Sequence, residues 1–110
     1  MTKIWYSGTA IIDMEEIGDY IAGELNSPKA ALNTVNKIQN AIERLALFPL
    51  SGAPLSSIGD IVTDYRFLVC GNYLVFYRLR EGEVFIDRIL YGRRDYLAIL
   101  FGDLARDETE

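Results

Sequence analysis

Hydrophobic positions follow two different rhythms along the chain. Up to about residue 48 they recur every three or four positions; between 64 and 91 they come in short, nearly continuous runs. From Ala10 to Leu25 the apolar positions are Met14, Ile17, Tyr20, Ile21 and Leu25, with acids on the other side, which predicts an amphipathic helix. Thr9 or Ser7 suits its N-cap, and Glu15 and Glu16 suit the positive end of its dipole. Asn26-Ser27-Pro28 interrupts the pattern: Ser27 is a good N-cap and Pro28 fits a first helical position. A second helix then runs to about Phe48 on the stripe Ala31, Val35, Ile38, Ala41, Ile42 and Leu45, and Pro49 stops it. So short a link predicts an antiparallel helix hairpin.

"KIWY" at 3–6 is β-branched and aromatic and reads as a first strand. Residues 49–63, with two prolines and two glycines, read as loop. Three strand candidates follow at 64–70, 73–80 and 84–91, separated by Gly71-Asn72 and by Glu81-Gly82-Glu83, which is hairpin chemistry. They predict a three-stranded antiparallel meander. After Gly92, Tyr96, Leu97, Leu100, Phe101 and Leu104 line one face of a short last helix, and 103–110 is a charged, frayed end. The order predicts one α+β domain over 1–110, with the hairpin on one face of an antiparallel sheet. The other face is expected to be partly open and to be the working surface.

Composition narrows the class. Half of the 110 residues are hydrophobic, enough for a real core without staples. The single cysteine, Cys70, excludes an internal disulfide and sits in an apolar run, where a lone thiol is usually a small buried hydrophobe. No histidine exists to activate it. Without histidine, and with no clustered acidic motif, the expectation is no metal and no cofactor. No apolar run approaches the ~20 residues of a membrane span, and the N-terminus lacks a signal-peptide core, so a cytoplasmic protein is expected.

The formal net charge of −5 argues against capture of nucleic acid by the whole surface. Yet arginines gather in the last half: Arg66, Arg78, Arg80, Arg88, Arg93 and Arg94. Guanidinium is planar, permanently charged and bidentate toward phosphate or carboxylate. Converging arginines can therefore hold a phosphate backbone, and a tyrosine nearby can stack on a base. Equally, these arginines can pair across the sheet with Asp64, Glu81, Glu83, Asp87 and Asp95. Strand alternation puts Arg78 and Arg80 on one face with Leu74 and Phe76, but cannot place Arg66 without the register.

Three blocks, in order, resemble the RelE/ParE superfamily of toxins from type II toxin–antitoxin systems, the plasmid stabilisation protein family. They are "LNSPKAALNTVNKIQNAIERLALFPLSG" (25–52), "YRFLVCGNYLVFYR" (65–78) and "VFIDRILYGRRDY" (84–96). The resemblance implies a toxin that inhibits growth until its cognate antitoxin binds it, along the sheet and helices. The stripe Leu97, Leu100, Phe101 and Leu104 suits that contact or, equally, docking on the protein's own core. RelE-like members cleave mRNA on the ribosome without metal; ParE-like members inhibit DNA gyrase and do no chemistry. For a ribonuclease, the resemblance points to Arg66, Arg94, Tyr96 and Tyr91, the last standing where many relatives carry histidine in "ILHGRR". Arg88 and Arg93 join Leu97, Leu100 and Phe101 as target or antitoxin contacts. A base would have to be a tyrosine with a depressed pKa, Asp60 or Asp64. The acidic charge, the absence of lysine after Lys37 and the missing histidine favour the gyrase branch slightly; a non-toxic binding module is a further alternative.

Overall fold

Ser7 ends one element and begins another. Its backbone N–H continues the ladder to the Ile86 carbonyl, while its side chain accepts from Ala10 N and caps the first helix. In the computed structural model, which describes residues 1–58 and 62–101, the order is β1 (Ile4–Tyr6), α1 (Gly8–Gly23), α2 (Pro28–Glu43), β2 (Ala53–Pro54), β3 (Arg66–Cys70), β4 (Tyr73–Arg80) and β5 (Glu83–Tyr91). A last helical stretch covers 96–101. The charged end at 103–110, Leu104 and Asp60 lie outside the described residues.

The helix hairpin forms where the sequence predicts it. Ser27 caps α2 with Pro28 inside its first turn, and Asn26 takes a left-handed φ of 49° between the helices. The α-helical part of α2 is shorter than predicted. It ends at Glu43, and a 3-10 turn over Arg44–Ala46 carries Leu45 into the core before Pro49. The predicted loop at 49–63 also holds local order: two-residue β2 and a 3-10 turn over Leu55–Ile58.

The sheet order is β1-β5-β4-β3-β2. β3, β4 and β5 are the predicted antiparallel meander. At the β4–β5 hairpin both Glu81 and Gly82 have positive φ, 53° and 78°, the type I′ pattern that matches strand twist. β1 adds parallel to β5 in the register Ile4↔Val84 and Tyr6↔Ile86, so β5 is an interior strand between β1 and β4.

Two cores result. Ile17 and Ile21 of α1 and Ile38, Ile42 and Leu45 pack on Val75, Tyr77, Val84, Ile86 and Ile89. On the other face Leu55, Phe76 and Leu90 are buried under Tyr96, Leu97, Ile99, Leu100 and Phe101. The protein's own C-terminal stretch covers the middle of this face, while Val69 of β3 and Trp5 of β1 on the same face are 69% and 50% exposed, so the face is partly open, as expected. The cover over the middle is readable in "YLVFY", where both alternating sets are large and apolar, so neither face of β4 can be left to water. One correction concerns Tyr20 and Leu25, assigned to the α1 stripe but 54% and 59% exposed.

Buried and exposed apolar residues of α2 should therefore separate cleanly in equilibrium urea unfolding. Ile38→Ala is expected to cost about 2–5 kcal/mol, as a fully buried large-to-small change does. Leu32→Ala, on the exposed side of the same helix, should stay within about 0.5 kcal/mol.

Candidate functional site

The arginines do not converge. Arg66 opens β3 opposite Tyr77 and so faces the helix side of the sheet. Its guanidinium donates to the Gly52 carbonyl at 2.6 Å. Beside it, the buried Tyr77 hydroxyl donates to the Pro49 carbonyl and accepts from Gly52 N, both at 2.9 Å. A Cβ on Gly52 would lie 2.6 Å from the Tyr77 ring and 2.8 Å from the Phe67 carbonyl, which explains glycine there. Arg66 and Tyr77 thus staple the 49–52 loop, and next to it Leu47, Phe48 and Leu50 stand exposed.

On the opposite face, Asp87 is the hub of a polar cluster. It pairs with Arg78 at 2.8 Å and accepts from the Tyr65 hydroxyl at 2.6 Å, while the Arg78 guanidinium lies 4.7 Å above the Tyr65 ring. Burial, then the hydrogen bond to Asp87, pushes Tyr65 up to about 12. Arg80 pairs with Asp64 and holds that carboxyl below its usual range. Asp64, one of the predicted bases, is therefore a weaker base than a free aspartate.

Arg88 is taken by a different acid. β4 and β5 lose one step of register between Phe76/Tyr77 and Ile86/Arg88, a bulge that leaves Asp87 unpaired in the ladder. Arg88 then lies opposite Phe76, and its guanidinium forms a fork with Asp13 of α1, Nε and Nη2 to the two carboxylate oxygens at 2.8 and 2.9 Å. The same carboxylate accepts the Ile89 backbone N–H at 3.0 Å. β1 stops at Tyr6, opposite Ile86, so Asp13 takes the place of a strand neighbour at β5's exposed edge. Asp13 is 5% exposed and was missed as a site residue, grouped with the solvent-side acids. Its spacing held the signal: Ala10, Asp13, Ile17 and Ile21 form the buried stripe of α1.

The remaining candidates lie at the end of β5, and they divide between the two faces. Tyr91 sits edge-on to Tyr73, ring centroids 5.8 Å apart, on the helix side. Arg94 follows, exposed, its backbone N–H on the Tyr91 carbonyl at 3.0 Å. Neither Arg93 nor Arg94 makes an ion pair among the described residues. Tyr96 turns to the other face and packs on Phe76 at 5.4 Å. Leu97, Leu100 and Phe101 continue that packing, Phe101 edge-on to Tyr65 at 5.7 Å. Arg66 is two strands away from Tyr91 and four register positions along, roughly 14 Å lengthwise and 10 Å across. Tyr91 and Arg94 do share one feature, a groove of about 690 Å³ against α1, with Glu16 and Tyr20 on its other wall.

The comparisons with known proteins agree with this architecture. A family model described as the ParE toxin of the type II toxin–antitoxin system parDE matches residues 4–96. The chain belongs to the ParE toxin family. Among solved structures, a chain of the chromosomal ParDE toxin–antitoxin system from P. aeruginosa is similar at a TM-score of 0.70 and 25% identity, over 83% of this chain and 96% of that one. The E. coli DinJ–YafQ toxin–antitoxin complex contains a chain at 0.54 and 18%, over 82% of this chain and 91% of the other. YafQ from E. coli strain BL21(DE3) gives 0.50 and 18%, over 92% and 99%. These last two are likenesses of fold. No protein in the curated set matches the sequence significantly. No helix among the described residues is long and apolar enough to cross a membrane.

Two measurements test these assignments. Asp13→Ala should cost about 3 kcal/mol or more in urea unfolding, because it strands a charge and an edge N–H together. Tyr65 binds its proton more tightly folded than unfolded, so its contribution is full below the unfolded value of 10.0 and is lost as pH rises toward about 12. Tyr6, Tyr73 and Tyr77 are also pushed up by burial, so a tyrosinate absorbance titration should show several late tyrosines, and Tyr65→Phe should remove one of them.

Proposed function

We propose that this chain is a growth-arresting toxin held silent by a cognate antitoxin, and that it acts by binding DNA gyrase without cutting RNA. One observation carries the choice of mechanism. The side chains a ribonuclease would draw together, Arg66, Tyr91, Arg94 and Tyr96, are divided between two faces and two ends of the sheet. Charge stabilisation on an attacked phosphate needs donors within about 3 Å of one point. Arg66 already donates to a loop carbonyl, and Tyr96 is packed against Phe76. Of the proposed bases, Asp64 is held by Arg80.

What Arg66 does hold suits a protein target. The stapled loop presents Leu47, Phe48 and Leu50 as an exposed apolar knuckle with a fixed shape, and rigid apolar anchors are what protein interfaces reward. The ribosomal ribonuclease reading keeps one favourable observation, the shared groove of Tyr91 and Arg94.

Pulse labelling after induced expression without antitoxin separates the two. DNA synthesis should fall first, with a damage response and loss of gyrase supercoiling in the purified system. A prior fall in protein synthesis, abolished by both Arg66→Ala and Arg94→Ala in folded protein, would establish the ribonuclease instead.

A further inference from the structure

Tyr77 serves two parts of the molecule with two parts of its side chain. Its ring is fully buried in the core beneath the helices, beside Val75 and Ile86, and a phenylalanine ring would fill that space equally well. The hydroxyl reaches past the core to the loop after α2. It donates to the Pro49 carbonyl and accepts from Gly52 N, and it has no other hydrogen-bond partner among the described residues. The core needs the ring; the loop alone uses the oxygen.

That loop has little else to hold it to the sheet. Leu47, Phe48 and Leu50 are each more than 60% exposed, so its side chains bury little. Leu47 N and Phe48 N donate to the Arg44 carbonyl, and Ser51 N donates to the Phe48 carbonyl. These bonds fold the segment on itself without attaching it to a strand. Attachment comes from the Tyr77 hydroxyl and from Arg66, which donates to the Gly52 carbonyl, just before Ala53 pairs with Phe67. A connecting segment that buries so little is ordinarily the mobile part of a domain. Here it is pinned with its apolar side chains turned outward. Side chains already held in one arrangement lose little freedom when a partner covers them, and that is how preorganised surfaces gain affinity.

From this we infer that Tyr77 is a positioning residue for target binding. Its hydroxyl, acting through the Pro49 carbonyl and the Gly52 N–H, fixes the arrangement in which Leu47, Phe48 and Leu50 meet a protein partner. That the partner is gyrase rests on the reading above; the restraint of the loop rests on the hydrogen bonds alone. Tyr77→Phe removes the restraint and leaves every guanidinium in place, so its effect is separate from any phosphate chemistry at Arg66.

The test combines inhibition of supercoiling by purified gyrase with amide hydrogen exchange, both on the whole chain. Phe48→Ala, which removes an anchor, should raise the half-inhibiting concentration about thirtyfold. Tyr77→Phe should raise it about tenfold. Gly52→Ala, whose Cβ would lie 2.6 Å from the Tyr77 ring, should lose as much by displacing the loop. In Tyr77→Phe, exchange at the Gly52 amide should quicken about tenfold or more, while Ile38 and Ile42 stay within about twofold. Added to Phe48→Ala, Tyr77→Phe should weaken inhibition by less than about threefold more, because a residue acting through another is not additive with it. Ile38→Val, a core change away from the loop, should leave inhibition within about twofold. Equal losses from Tyr77→Phe with and without Phe48 would mean general destabilisation and would overturn the inference. So would unchanged exchange at Gly52, or full inhibition by Tyr77→Phe despite faster exchange. Inhibition that Phe48→Ala leaves unchanged would sink the loop's role and keep the gyrase reading. No inhibition by the unaltered chain would sink the gyrase reading, and Tyr77's role in it, even where Gly52 exchange responds as expected.

Discussion

One carboxylate holds the two halves of this protein together. β1 supplies β5 with a neighbour only as far as Ile86, and beyond that point β5 would expose an unpaired edge inside the domain. Asp13 closes it by accepting the Ile89 N–H and the Arg88 fork from the first helix. A hydrogen bond to a charged acceptor is worth about 1.5–3 kcal/mol, and here two charge-assisted bonds of one fork share the acceptor with a backbone donor. The helix hairpin is thereby fixed in register with the sheet, and not only pressed against it by apolar contact. The groove on the same flank owes its shape to that registration, since Asp13 is part of its lining.

The bulge at Asp87 is what makes this arrangement compatible with the rest of the strand. Without the extra residue, Arg88 and Ile89 would exchange faces, because side-chain direction alternates strictly along a strand. With it, Ile86 and Ile89 both reach the helix-side core, Asp87 is released to gather Arg78 and Tyr65, and Arg88 is aimed at Asp13. Three of the six arginines that drew attention in the sequence are thus consumed by carboxylates, and a fourth by loop carbonyls. Of the six, Arg93 and Arg94, beyond β5, have neither a carboxylate nor a loop carbonyl as partner among the described residues.

The elements that could be read from the sequence were those with local causes. Ser7 and Ser27 cap helices because their hydroxyls reach N–H groups three residues on, and Glu81-Gly82 turns because both residues adopt positive φ. What could not be read had non-local causes. The face of Arg66 depends on its register with Tyr77, the fate of Arg88 on a bulge, and the position of β1 on a partner far along the chain. The second face, covered in its middle and open at Val69 and Trp5, lay between these cases. The double apolar run in β4 announced the cover over its middle, and the expectation of a partly open face came from the helix hairpin occupying only one side. For the candidate site the sequence supplied the residue types but not the grouping, which is why Tyr91 and Tyr96 could be taken together although they end on opposite faces.

The position of β5 bears on when the domain can exist at all. Ser7 meets Asp87 across 80 residues of chain, and among the described residues β1 pairs with β5 alone. During synthesis, the first strand, the first helix's buried carboxylate and the core beneath it all wait for the last strand to emerge. Contacts of such long sequence separation form late, because the chain between them must be closed first. Early fragments can hold a helix hairpin but not the sheet that gives it a surface. Every surface built on the sheet, the groove beside α1 included, therefore comes into being in one step with β5 and not piece by piece.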